Sequence, residues 1–171
     1  MKEICKYLLG YLAGFTFFMV LIPFGFYELS QLDASSHGKV FFGSGTLRFI
    51  LFGVIFLIGA IFAIWSNIFL YTVGKGAPTE AFGVAVSPPT KKLVTDGPYR
   101  YTRNPMVFGA FSIYLSLVVL FNSITGSIVF VVFFLLVVMF LKHSEEKRLI
   151  WDFGKEYLEY REKAPMIFPR F

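Results

Sequence analysis

Leu93-Val-Thr-Asp-Gly97-Pro-Tyr-Arg-Tyr-Thr-Arg103-Asn-Pro105-Met-Val-Phe-Gly109 is a polar, turn-rich, basic stretch that runs straight into an apolar helix. Asn104-Pro105 is a helix start, because Asn is a favoured cap and Pro suits the first helical position. The first backbone N–H groups of such a helix, here those of Met106, Val107 and Phe108, have no partner within it and attract anions. Arg103 stands beside them with a forked cationic side chain. Together they suit a carboxylate. They equally suit a plain cap with Arg103 reaching lipid phosphate, and these residues alone leave both readings open.

The sequence around this stretch predicts an all-α integral membrane protein. Of its 171 residues, 56% are hydrophobic and 23 are Phe, an apolar excess over soluble domains. Residues 8–27, 47–73, 105–121 and 124–141 are apolar runs, read as four membrane helices against the roughly 20 residues that cross a bilayer core. The first run is long for a signal peptide, and no small-residue cleavage site follows it. Its Gly10 and Gly14 are read as packing within the chain, and Pro23 as a kink. The second run exceeds the bilayer, with Gly59, Ala60 and Ala63 as a packing strip and Asn67 as a satisfied polar residue near its end. Glu28 to Thr46 is read as a polar loop. Its Gly43-Ser44-Gly45 lacks the strand that a phosphate loop needs. Asn122, Ser123, Thr125 and Gly126 mark a tight turn between the last two runs.

Residues 74–104, rich in Pro and Gly, form the expected cytosolic cofactor loop, and 143–163 a cytosolic amphipathic helix with Leu149, Ile150, Phe153, Tyr157 and Tyr160 along one stripe. Gly154 in that helix costs about 1 kcal/mol relative to Ala, which close packing would explain. Four crossings put both termini, the loop and the tail on one side with 14 of the 16 basic residues. The positive-inside rule makes that side the cytoplasm. The +5 net charge then needs no nucleic acid. One cysteine, Cys5, excludes an internal disulfide, and no His, Cys or carboxylate group has metal-ligand spacing. The oligomeric state is not readable.

Glu145 and Glu146 follow the last run. Adjacent helical positions point about 100° apart, so one faces inward and the other outward. An inward carboxylate can pair with Arg103; Glu146 alone reads as part of a solvated face. His143 reads as an interfacial polar residue.

Gly97-Pro98-Tyr99-Arg100-Tyr101-Thr102-Arg103-Asn104-Pro105, with Gly109, resembles a signature of the isoprenylcysteine carboxyl methyltransferase family and related phospholipid methyltransferases. Glu145-Glu146, Leu149, Phe153-Gly154, Tyr157, Tyr160, Pro165 and Pro169 are similar to its second signature, and Pro88-Pro89 with Leu93-Val94 also fits. The resemblance covers residues 74–171. It implies S-adenosylmethionine-dependent methyl transfer to a lipophilic acceptor, a prenyl-cysteine carboxylate or a lipid amine. By that resemblance Leu93, Val94, Tyr99, Asn104, Pro105, Met106, Val107 and Glu145 line the cofactor site, while Arg103 and Glu146 face the substrate or fix the site. Asn104 stands where many members have His, and Val107 where Tyr is usual. The alternative is a non-catalytic membrane scaffold or lipid-binding protein on the same fold. A transporter would carry charges at mid-membrane, which the four runs lack.

Overall fold

The computed structural model describes residues 12, 14, 16–36, 42–75, 80–81, 84–85 and 92–171. Cys5, Gly10, His37, Pro88 and Pro89, with the start of the first apolar run and parts of the 74–104 loop, lie outside the described residues. The described chain is helical. A π-helical turn, Phe17–Leu21, leads into α1 (Ile22–Ser36); α2 is Gly45–Thr72, α3 Pro105–Phe121, α4 Ile124–Phe140 and α5 Glu146–Lys163. Between α2 and α3 lie a two-residue antiparallel ladder, β1 (Glu80–Ala81) with β2 (Val84–Ala85), and a 3₁₀ turn, Gly97–Arg100.

Two helical stretches, Gly45–Thr72 and the continuous run Ile124–Lys163, are long and apolar enough to cross a membrane. On α2 the side chains of Leu47, Ile50, Leu57, Ile61 and Ile64 are exposed, and on α4 those of Ile128, Val132, Leu136 and Met139. A water-soluble helix would bury that apolar surface, whereas lipid accepts it.

The shorter α3 is the central helix, packed on α1, α2 and α4. Its Phe111, Ile113, Tyr114 and Val118 are buried, and Phe26 of α1 joins them in one core. Phe111 sets its ring against Phe130, Phe133 and Phe134 of α4 at centroid distances of 5.1–5.8 Å. The closest approach is between α2 and α3. A Cβ at Gly109 would stand 2.6 Å from the Ala63 backbone nitrogen, and one at Gly59 would stand 2.7 Å from the Gly109 carbonyl oxygen. Small residues there let the helix that starts at Asn104-Pro105 lie directly on α2.

Several sequence expectations are corrected. Residues 28–36, read as loop, continue helix α1. Asp33 on this extension takes hydrogen bonds from the Ser123 and Thr125 hydroxyls and the Thr125 backbone N–H. Those bonds hold its carboxyl below the usual carboxylate range, the Ser123 bond contributing most. The carboxylate thus satisfies the start of α4, a service that composition alone does not reveal. The irregularity around Pro23 is the π-helical turn before it, where the ring removes a helix donor. Gly14 has open space where a Cβ would stand, so no close approach within the described chain uses it. The fourth apolar run ends at Leu141, but its helix does not. A π-helical turn, Leu141–Glu145, carries it directly into α5.

Gly154 is the other correction. It adopts φ 53°, ψ −125°, and kinks α5, while nothing lies within 4 Å of an added Cβ. Backbone conformation, not close packing, demands glycine there. Beyond the kink Tyr157 and Tyr160 turn inward and are buried against Val94, Tyr99 and Ala164.

Candidate functional site

The 92–104 segment, the start of α3 and the inner face of α5 enclose one cleft of about 120 Å³. The 3₁₀ turn anchors its floor. Gly97 has φ +60°, and a Cβ there would meet the Phe69 ring of α2 at 2.5 Å. Glycine is therefore required twice over, by sterics and by dihedral. Tyr99 and Val94 are buried beneath the turn, and the Tyr160 hydroxyl donates to the Tyr99 carbonyl oxygen at 2.6 Å. Burial pushes the hydroxyls of Tyr99 and Tyr160 well above the usual phenol range, against the lowering influence of Arg103 on Tyr160. Both stay neutral.

Every residue expected to contact the cofactor stands on this cleft: Leu93, Val94, Tyr99, Asn104, Pro105, Met106, Val107 and Glu145. Arg103 stands there too, whereas Glu146 is absent from the lining. Glu146 lies behind Arg103. Its Oε1 is 2.7 Å from Arg103 Nη1, its Oε2 is 3.9 Å from Arg161 Nη1, and its side chain is only 13% exposed. The solvated reading of Glu146 is thus corrected: a buried cation on the cleft wall draws it inward. Both glutamates reach this region because they straddle the end of the π-helical turn, Glu145 within it and Glu146 just after. Glu145 pairs at 3.8 Å with Arg148, which also borders the cleft.

The helix start differs from a simple cap. The Asn104 side chain does not cap α3. Its Nδ2 donates instead to the Met166 carbonyl oxygen at 2.8 Å. The Phe108 N–H is bonded to the Asn104 carbonyl oxygen at 3.0 Å, so the expected three free donors reduce to those of Met106 and Val107. Both residues line the cleft. Arg103 adds a further donor, since its Nε is buried with no hydrogen-bond partner among the described residues. Its Nη1 is occupied by Glu146 and, at 3.4 Å, by the Tyr157 hydroxyl.

The tail after α5 holds this wall from behind. The Arg103 N–H donates to the Pro165 carbonyl oxygen at 2.8 Å, the Thr102 hydroxyl to that of Met166 at 3.2 Å, and the Arg170 N–H to that of Tyr101 at 2.9 Å. Sequence reasoning missed this clamp because its partners are main-chain groups with no side-chain signature. It also missed Leu70, Lys92, Arg148 and Leu149 as lining residues. Tyr157 and Tyr160, read as part of an apolar stripe and of the second signature but not as site residues, line the cleft as well. A further signal was that buried tyrosine hydroxyls need partners. His143 is exposed and hydrogen-bonded to its own helix through the Met139 carbonyl oxygen, apart from the cleft.

Two membrane-capable helices, a helix start without a side-chain cap and a buried arginine–glutamate pair behind it thus meet at one cleft. The chain belongs to the phospholipid methyltransferase family, whose sequence profile matches residues 47–156. This is the family of isoprenylcysteine and phospholipid methyltransferase-like membrane enzymes, and membership implies methyl transfer at a membrane. No curated protein matches the chain. The matched region includes the 92–104 wall, α3 and both glutamates, and ends before Tyr157 and the clamping tail.

Proposed function

We propose that the protein transfers a methyl group from S-adenosylmethionine to a lipophilic acceptor, a prenyl-cysteine carboxylate or a lipid amine, at the membrane–cytosol interface. The observation that carries this reading is the Arg103 Nε, buried without a partner among the described residues, on the same cleft as Met106 and Val107 of the first turn of α3, where helix geometry leaves backbone N–H groups without an intrahelical acceptor. They fit the cofactor's carboxylate. Leu93, Val94, Tyr99 and Pro105 offer the flat apolar wall that a nucleoside needs. Glu145 offers a counter-charge to the cofactor's cationic groups. When bound, the cofactor supplies a methyl group already activated by its sulfonium.

The chain's own task is then alignment and exclusion of water. Glu146 and Tyr157 fix Arg103, and the tail fixes Asn104 and the backbone on either side of it. Held in this way, Arg103 keeps its Nε aimed at the cofactor's carboxylate. A carboxylate acceptor needs no base. An amine acceptor must first lose a proton, and Glu145 is the carboxylate on the cleft for that role.

The proposed topology has four crossings, with the first run, α2, α3 and α4 in the bilayer. Both termini, the 74–104 loop and α5 then lie in the cytoplasm, as the basic residues require.

Equilibrium binding to the protein purified in detergent tests the cofactor assignment. S-adenosylmethionine and its demethylated product are expected to bind, and Arg103→Met and Val107→Pro to weaken both. Failure of the native protein to bind either would favour the scaffold reading, which Val107 in place of the family's usual Tyr motivates.

A further inference from the structure

Asn67 is an amide in the wrong surroundings. On α2 its neighbours Ile64, Ile68 and Tyr71 are all exposed apolar or aromatic side chains, and Asn67 is exposed with them. Counting from Gly45, it stands roughly 33 Å along the helix at 1.5 Å per residue, just past a hydrocarbon core of about 30 Å. On the proposed topology, with this crossing starting near Gly45, Asn67 comes at the level of lipid headgroups. Its Nδ2 is used: it donates to the Ala63 carbonyl oxygen at 2.8 Å and to the Met106 thioether at 3.3 Å. Because the Ala63 oxygen can only accept, the amide orientation is fixed and Oδ1 is the remaining group. No donor reaches Oδ1 among the described residues.

Two neighbours tie this group to the cleft. Met106, which Asn67 touches, lines it, and so does Leu70, one turn further along the same face. Asn67 is thus a polar rim residue between the lipid-facing side of α2 and the wall at the start of α3. A bare helix-to-helix packing role would suit Leu or Ala as well, and would not call for an amide bonded to both Ala63 and Met106.

We infer that Asn67 is a specificity residue for the acceptor lipid: Oδ1 takes an N–H of the headgroup as it passes from the bilayer over Met106 into the cleft. This rests on the proposed methyl transfer and deepens it. The recognised chemistry is an N–H donor on the acceptor headgroup, either beside the methyl-accepting carboxylate or on the methyl-accepting nitrogen itself. An acylated prenyl-cysteine supplies it as an amide, and phosphatidylethanolamine supplies it as an ammonium.

The test measures initial rates with N-acetyl-S-farnesylcysteine and with dioleoylphosphatidylethanolamine micelles, alongside cofactor binding and the thermal midpoint. Asn67→Leu is expected to raise KM for the acceptor in use about three- to tenfold, the worth of one hydrogen bond. The kcat, the cofactor Kd and the midpoint should stay unchanged. Asn67→Asp separates the two sources. An ammonium donor tolerates or prefers the added charge, whereas an amide beside a carboxylate suffers a further rise in KM. 3-(Farnesylthio)propionic acid, which keeps the thioether and carboxylate but lacks the amide, should already show the raised KM with the native protein, and Asn67→Leu should not raise it more. An unchanged acceptor KM in Asn67→Leu, or equal changes in acceptor KM and cofactor Kd, overturns the inference while the methyltransferase reading stands. A native protein that binds no cofactor and methylates neither probe overturns both.

Discussion

Glu146→Leu isolates the contact on which the cleft wall depends. Arg103 and Glu146 are 2.7 Å apart, with side chains 10% and 13% exposed. Removing one member of so buried a pair costs about 3–5 kcal/mol, mostly the penalty of a stranded charge. The Tyr157 hydroxyl at 3.4 Å remains as a weak neutral partner for the cation, so the lower end, about 3 kcal/mol, is expected. For a chain of this size that lowers the thermal midpoint by about 6–12 °C. Glu146→Gln keeps one acceptor oxygen and should cost only about 1–2 kcal/mol. Adding Arg103→Met to Glu146→Leu removes the stranded cation, so the double variant should regain most of the lost stability while methyl transfer stays abolished. Thermal unfolding of the four proteins in one detergent, with activity measured in parallel, provides the comparison. A Glu146→Leu midpoint within 1 °C of native, or a double variant less stable than Glu146→Leu, would refute the reasoning.

Gly154→Ala should cost about 1–3 kcal/mol, because the backbone at φ 53°, ψ −125° excludes a Cβ although no atom crowds it; thermal unfolding reads this, and an unchanged midpoint would mean that the kink is not kept. Asn104→Leu removes the bond to the Met166 carbonyl oxygen and loosens the tail, so limited trypsin digestion should cut after Lys163 about fivefold faster, the worth of one hydrogen bond. Asp33 titrates below its unfolded value of about 3.9, since Ser123 and then Thr125 stabilise its carboxylate. Its stabilising contribution is therefore complete above that value and disappears as pH falls through the folded one. Unfolding midpoints measured from pH 6 to 3 should fall less steeply in Asp33→Asn than in the native protein.

How legible each element was followed from where its partners lie. Helix α3 was readable from end to end because its signals are local: Asn104-Pro105 at the start, and at the end Asn122, which takes the left-handed conformation at φ 54°. Helix α2 was placed within two residues of its observed ends, with Ser44 as the unrecognised cap. The extension of α1 through Ser36 was hidden, because its polar side chains look like loop until Asp33 is seen bound to Ser123 and Thr125, some ninety residues away.

The same distinction holds at the site. Its cast was readable by resemblance, since the two signatures converge on one cleft. Their arrangement was not. Whether Asn104 caps its own helix or holds the tail depends on Met166. Whether Glu146 faces water depends on Arg103, and the sign of φ at Gly154 leaves no trace in composition.

The measurement that tests the central claim most directly is transfer of label from methyl-labelled S-adenosylmethionine into a membrane lipid extract by the purified native protein, with the product identified by mass. The expected result is label in one lipophilic species, heavier than its precursor by one labelled methyl in place of hydrogen for each transfer, and its loss with Arg103→Met. Absence of labelled lipid from a folded protein, or transfer undiminished by Arg103→Met, would contradict the account.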